Sequence, residues 1–502
     1  MEIESIKPFL VVVVSLLGAI LIVMTRKNPN LREGVSLGTG VLKFLLVLTM
    51  IPTVLAGNTL HYTIWSFYPT VPIALRVDGL GLVFALTASF LWILTTLYSM
   101  GYMRSLNEHA QTRYYTCFAV TLSATMGAAF SDNWFTLFLF YELITFFTYP
   151  LVAHSETKEA FAGGNKYLLY LMATSKAFLA AGIIWLYYIA GTLDFVPGGI
   201  LPADVDPKTL LPIFFLMLFG AGKAAVMPFS SWLPASMVAP TPVSALLHAV
   251  AVVNTGAFCV LRIIFDTFGV DVMRTAGLGT MTAYLVSFTI IMASVYALTR
   301  DNIKERIAYS TVSQISYIIL GGALLTPFGM AGGIMHIANH AFSKITLFFC
   351  AGAIYVAAKK TKVSELNGIG RQMPWTMAAF AIATLSMVGV PPVAGFLSKW
   401  YLAIGSMEAH QLPILFVLLV SSLLNAGYFL PIVHKAFFKA PDSGLQYAVA
   451  GDKDGGGVPK KTTEIREAPK FMLYPLVATA VISVLLGLFP ELLLDLIKQV
   501  LG

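Results

Sequence analysis

Charge is what this chain is short of. Asp, Glu, Lys and Arg make up 11% of its 502 residues, where a soluble domain carries about 25%. Hydrophobic residues make up 57%, and mean hydropathy is +0.79. That balance excludes a water-soluble globular enzyme and implies a polytopic membrane protein in a lipid bilayer. Cysteine is scarce as well. Cys117, Cys259 and Cys350 all fall in apolar runs, and they supply neither a disulfide framework nor metal-ligand spacing. Nucleotide-binding loops, metal-cluster spacings and catalytic triads are also missing. No metal, no cofactor and no stand-alone enzymatic activity are expected. The first apolar run, from about Pro8 to Met24, lacks a basic leading flank and a small-residue cleavage site, so it reads as a retained helix rather than a signal peptide. The net charge of +7 does not indicate a nucleic-acid partner, because lysine and arginine in such a chain mostly set orientation.

What is abundant is apolar runs of about 20 residues, the length that spans a hydrocarbon core. Fourteen are found, at approximately 7–25, 35–56, 79–100, 114–131, 133–151, 165–190, 210–236, 241–262, 279–299, 305–325, 329–357, 374–406, 413–434 and 471–488. Loops after odd-numbered spans carry 21 Lys/Arg, and loops after even-numbered spans with the C-terminal tail carry five. The loop over 191–209 is acidic instead, with Asp194, Asp204 and Asp206. The positive-inside rule then makes odd loops cytoplasmic and places both termini outside. The Gly-, Lys- and Pro-rich segment 435–470 reads as a flexible cytoplasmic loop.

The expected fold is all-α, with about 14 transmembrane helices. Spans 4–8 and 9–13 form two successive sets of five, each with a long fourth member interrupted by Gly and Pro. An odd number of crossings inverts the second set, the inverted-repeat logic of secondary transporters. The expected organisation is spans 1–3 over 1–113, a first five-helix repeat over 114–262, a second over 279–434, the 435–470 loop, and a C-terminal helix and tail over 471–502.

Against this apolar background, five lysines stand inside spans: Lys43, Lys176, Lys223, Lys344 and Lys399. Of the carboxylates only Glu142, in "FLFYELITFFTYP", lies deep in one. Each such charge at a helix centre costs about 2.5–3.5 kcal/mol on insertion scales, so partners, water or the bundle interior must solvate them. Lysines close to a helix end can snorkel to the headgroups; Lys43 is open to that reading. Lys176 is intermediate, and Lys223, Lys344 and Lys399 are read as buried titrating groups. "MHIANHAFSK" spaces His336, His340 and Lys344 at i, i+4 and i+8, on one helix face. Three titratable groups in one column suit a proton relay. A metal site is disfavoured there because no carboxylate or cysteine joins them. Ser310, Ser313, Gln314 and Tyr317 form a polar stripe on span 10, fit either for bonding a neighbouring helix or for holding water beside the relay.

The helix breakers accompany these charges. "LFGAGKAAVMPFSSWLP" places Pro228 and Pro234 after Lys223, and "GVPPVAGFLSKW" places Pro391 and Pro392 before Lys399. Proline removes a backbone donor and interrupts a helix. Unpaired backbone at membrane depth is tolerated only where it is buried in protein or lines a cavity. A broken helix with a lysine nearby, occurring twice, points to an ion pathway.

The segments "FGAGKAAVMPFSSWLPASMVAPTPVSALLHA", "FLFYELITFFTYPLV", "HIANHAFSKITLFFCAGA" and "GVPPVAGFLSKW", in this arrangement over about residues 80–430, resemble the antiporter-like proton-translocating subunits of respiratory complex I, Mrp-type Na⁺/H⁺ antiporters and membrane-bound hydrogenases. The chain looks most like an Mrp D-type subunit, with "APTPVSALLHAVAVV" and no room after span 14 for a long lateral helix. The resemblance implies that Glu142 pairs with Lys223, that His336, His340 and Lys344 form the relay, and that Lys399 exchanges protons with one side. Many members carry a lysine on span 8 near Asn254, where this chain has none; either His248 or Lys176 takes over that middle step, or the path between the two halves is weakened. The implied function is proton translocation in a hetero-oligomeric complex of a prokaryotic cytoplasmic membrane; whether Na⁺ or another cation is the exchanged ion, and which subunit moves it, is left open by the sequence. Two alternatives share the same core: a non-redox membrane subunit of complex I, a hydrogenase or a formate-oxidising complex, and the proton-conducting partner of an inorganic-carbon uptake protein.

Overall fold

The computed structural model describes residues 1–68, 71–202, 205–440 and 465–501. Most of the expected loop over 435–470, and Asp204, lie outside the described residues. All fourteen expected spans are helical. Ten are helices long and apolar enough to cross a membrane: α1 (Lys7–Met24), α2 (Pro29–Leu55), α3 (Gly79–Ser105), α5 (Trp134–Val152), α6 (Lys158–Ala190), α8 (Thr241–Phe268), α9 (Leu278–Thr299), α11 (Pro327–Ala358), α13 (Leu412–Phe438) and α14 (Lys470–Leu488). The other four are α4 (Gln111–Ala129), α10 (Ile303–Ala323), and the two interrupted spans. These are α7, split into Pro207–Gly220 and Trp232–Ala235, and α12, split into Pro374–Val388 and Ala394–Glu408. Chain starts are set by side-chain caps: Asp78, Asn133, Asn302 and Thr326 each accept a backbone N–H from the first turn of α3, α5, α10 and α11, satisfying one of the donors a helix leaves free.

Burial identifies the centre. The apolar window of α8 is buried along its whole length, and α11 is buried over most of its own. Helices α1, α2, α6, α13 and α14 keep apolar outer faces exposed, as lipid-facing helices do. Lys43 does not snorkel. It is fully buried, with Nζ donating to the Leu122 carbonyl at 3.0 Å and lying 4.4 Å over the Trp92 ring.

The bundle carries one addition to the helical expectation. A three-stranded sheet joins β1 (Glu2–Glu4), β2 (Thr59–Tyr68) and β3 (Val71–Val77), with β1 parallel and β3 antiparallel to β2. A short amphipathic helix, α15 (Glu491–Leu501), buries Leu493, Leu496 and Ile497. The sheet delivers Arg76 to a charged cluster at the end of α8. Arg262 bonds Asp78 and Asp266, and Arg76 lies 3.2 Å from Asp132. Burial pushes the Asp78 carboxyl up, but the Arg262 and Arg76 guanidiniums outweigh it and hold it below the usual range, so it stays ionised.

Candidate functional site: a buried polar axis

Lys223 sits on the break in α7. The helix stops at Gly220, and Gly222–Ala224 form a single 3₁₀ turn. The turn is wedged between neighbours. A Cβ on Gly220 would meet the Leu179 backbone at 2.3 Å, and one on Gly256 of α8 would meet Ala224 N at 2.1 Å. Only glycine lets α6 and α8 approach this closely. Lys223 is fully buried and clasped by α5. Its backbone N–H donates to Tyr141 Oη at 3.0 Å, and Nζ donates to the Tyr141 carbonyl at 2.8 Å and Thr145 Oγ1 at 2.6 Å. The same ammonium lies 3.3 Å over the Tyr141 ring. Pro228 lies in the break as expected. Pro234 does not break a helix: it falls within the short Trp232–Ala235 turn, whose first N–H groups have no intrahelical partner to lose.

Glu142 is not in ion-pair contact with Lys223. Its charge acts on Lys223 at longer range, while its Oε2 lies 4.0 Å from Nζ of Lys176. Lys176 thus belongs at the Glu142 end of the axis and not at its middle. The reason is local. Residues Ser175–Leu179 form a π-turn in α6, and such single-turn bulges re-aim side chains. The Lys176 side chain remains 57% exposed while Glu142 is nearly buried. Neither Glu142 oxygen has a hydrogen-bond partner among the described residues.

A second π-turn, Leu246–Val250, carries His248 in α8. Asn254 does not replace a charge there; its Nδ2 donates to the Ala249 carbonyl at 2.8 Å and so ties off the bulge. The His248 ring lies 4.9 Å from Phe348 of α11, and Lys344 acts electrostatically on both His248 and His340. Both rings are fully buried, and neither has a hydrogen-bond partner among the described residues.

On α11 the three expected groups share one side. His336 and His340 stack at 6.0 Å, and Lys344 Nζ donates to Ser310 Oγ. His336 Nδ1 meets Ser398 Oγ at 2.8 Å and its Nε2 meets Gln314 Oε1 at 3.1 Å. Tyr317 lies edge-on to His336 at 5.5 Å. The stripe on α10 therefore divides. Ser310, Gln314 and Tyr317 face the axis, while Ser313 accepts from Ser294 of α9.

Lys399 closes the row. Pro391 and Pro392 separate the two pieces of α12, and Lys399 reaches back across the gap to the last carbonyls of the first piece, Met387 at 2.7 Å and Val388 at 3.1 Å. A cation at a helix C-terminus is favoured by the helix dipole. Gly389, at φ +90°, makes room: a Cβ there would meet Lys399 Cδ at 2.8 Å. Ser422 Oγ of α13 accepts a third bond at 3.2 Å, and the ammonium lies 5.2 Å from the Tyr317 ring.

One residue of this kind was missed in the sequence. Lys304, counted among the loop charges, turns inward and donates to the carbonyls of Met237 and Ala239. Its place at the cap of α10 gave no sign of this.

Fold and site together define a polytopic membrane protein with a buried row of lysines and histidines linking two interrupted helices. A family model described as "NADH:quinone oxidoreductase/Mrp antiporter, TM" matches residues 131–425, and the chain belongs to that family. It is 30% identical to NADH-quinone oxidoreductase subunit N of Desulforudis audaxviator, covering 89% of this chain and 88% of the relative. It is 31% identical to Na(+)/H(+) antiporter subunit A1 of Staphylococcus haemolyticus, covering 91% of this chain but 58% of that longer subunit. Among solved structures, a chain of the Mrp complex from Dietzia sp. DQ12-45-1b superposes with a TM-score of 0.86 at 23% identity, covering 99% of this chain and 97% of that one. A chain of the membrane-bound sulfane sulfur reductase, an archaeal respiratory membrane complex, gives 0.84 at 22%. At those identities the likeness is one of fold.

Proposed function

We propose that this chain is the proton-translocating subunit of a multisubunit monovalent cation/proton antiporter, D-like in the Mrp family. It works in a prokaryotic cytoplasmic membrane beside other membrane subunits, with both termini outside. The observation that carries the reading is the row itself: Glu142, Lys223, His248, His340, Lys344, His336 and Lys399, all buried, between two interrupted helices. Buried charges persist where they are used or paired.

Glu142 is shared between two lysines. An ammonium facing a carboxylate is stabilised; one facing only neutral dipoles in an apolar interior gives up its proton more readily. When Glu142 leans to Lys176, Lys223 is left with the Tyr141 carbonyl and Thr145 and passes its proton inward. His248 and His340, with unengaged ring nitrogens, receive it and hand it to Lys344 and His336. Lys399, at the second helix break, exchanges it with the other side. The two five-helix sets are inverted repeats in this reading, so the breaks serve opposite faces.

A second reading rests on the N-type relative: the chain is 30% identical to that quinone oxidoreductase subunit and covers 88% of it. In that case the same axis works in a redox-driven complex and leaves electron transfer to other subunits. The test is proton movement by the purified complex in vesicles with sodium, with potassium and with neither. Cation-dependent movement, abolished by Lys223→Ala without loss of assembly, is expected. Near wild-type antiport in Lys223→Ala refutes the axis; movement only with a quinone and reductant selects the second reading.

A further inference from the structure

Two histidines outside the axis meet where the loops after α3 and α5 come together. His154 lies two residues past the end of α5. It is fully buried, and neither ring nitrogen has a hydrogen-bond partner among the described residues. Tyr114 stands edge-on to it at 5.8 Å, but the Tyr114 hydroxyl is engaged with Ser99. His109 stacks on it, ring centroids 4.9 Å apart. Glu108 points between them. Its Oε2 lies 3.9 Å from His154 Nε2 and 4.0 Å from His109 Nδ1, and one ligand atom from each of the three residues lies within 4.8 Å of the other two. A buried imidazole without a well-formed partner is costly, and His154 has only a long approach from the His109 backbone and Glu108 Oε2 at 3.9 Å.

We propose that Glu108, His109 and His154 bind a divalent transition-metal ion of the Zn²⁺ class, through two ring nitrogens and one carboxylate oxygen, with a fourth position left open. Such ions take His and carboxylate ligands at about 2.0–2.2 Å, which places ligand atoms roughly 3.4 Å apart around a tetrahedral ion. The three atoms need to close by little more than about 1 Å to reach that spacing. Glu108 and His109 are partly exposed, at 21% and 47%, so they can both move and admit the ion. The outer shell is in place as well. Glu156 Oε1 lies 3.8 Å from His109 Nε2, the arrangement in which a carboxylate orients a ligating imidazole. Arg113 is held by Glu156 and by the His154 carbonyl. Around the imidazoles themselves two carboxylates, Glu108 and Glu156, face one guanidinium, Arg113, while Lys304 and Lys360 lie farther off along the adjoining cavity. The other His/carboxylate group, Glu2, His61 and Asp132, lacks this opening, because Arg76 Nε lies 3.2 Å from Asp132. Glu108 also lines a cavity of about 270 Å³ with Tyr102, Ser155, Thr241 and Lys304, so the ion would sit at its rim. This site departs from the expectation of no metal, which rested on sequence spacing.

The test is Zn²⁺ binding by the purified full-length chain with its co-purifying subunits, measured in competition with a chromophoric chelator. His109→Gln and Glu108→Gln alter an exposed and a partly exposed side chain, which avoids the folding risk of replacing the buried His154. Wild type is expected to hold one more equivalent of Zn²⁺ than either variant, and Glu156→Gln to weaken that equivalent roughly 10–100-fold, as loss of an outer-shell carboxylate does. Co²⁺ in place of Zn²⁺ is expected to give tetrahedral d–d bands that His109→Gln abolishes. Equal Zn²⁺ stoichiometry and affinity in wild type and both ligand variants, or Co²⁺ bands unchanged by His109→Gln, overturns the proposal.

Discussion

Glu142 faces two lysines of different character. Lys223 is enclosed and satisfied by neutral acceptors of α5, whereas Lys176 stands at the outer surface of α6 and reaches the carboxylate from there. If the carboxylate alternates between them, Lys176 sets how often Lys223 is released. Lys176→Met is expected to lower the transport rate several-fold without affecting assembly, and Lys176→Arg to restore most of it. Initial rates in vesicles at matched protein content check both. The lysines of the axis were legible because a charge in an apolar run stands out. Which of two lysines takes Glu142 was not, since that depends on where side chains point across three helices. Lys304 was hidden by its neighbours: beside Arg300 and Arg306 it counted as one more loop charge. Glu108, His109 and His154 were hidden by distance along the chain, in two loops of ordinary composition.

At the level of elements, apolar run length located every span, and Gly and Pro located both interruptions. The π-turns at Ser175–Leu179 and Leu246–Val250 left no trace, because one extra residue in a hydrogen-bonded turn does not alter the hydrophobic period enough to read. The sheet was passed over because β2 and β3 lie in a connection between two long apolar runs, where a mostly apolar β-hairpin is overshadowed, and β1, ahead of the first span, is only three residues long. The most stringent element is α11, 32 residues without a break and so about 48 Å long. It presents His336, His340 and Lys344 on one face only while its register holds. A single alanine inserted between His340 and Lys344 turns everything beyond it by about 100°. That insertion is expected to stop transport as fully as Lys344→Ala does, whereas one placed after Ala358 is expected to be tolerated. Vesicle transport with blotting for assembled protein separates the two.

For the whole molecule, the charged cluster at the end of α8 holds separate stretches of chain together: β3, the start of α3, the turn before α5 and α8 itself. Removing Arg262 leaves Asp78 and Asp266 facing each other in a largely buried site. Breaking a buried pair in this way costs about 3–5 kcal/mol. Arg262→Gln is therefore expected to lower the thermal midpoint of the detergent-solubilised protein, with partial recovery in Arg262→Gln combined with Asp266→Asn. The cluster also imposes an order on biogenesis. Asp78 leaves the ribosome 184 residues ahead of Arg262. Until α8 is threaded, the carboxylates at that corner have from their own half of the chain Arg76 and, at Asp132, His61. That corner can therefore close only once α8, buried along the whole of its apolar window, has been made.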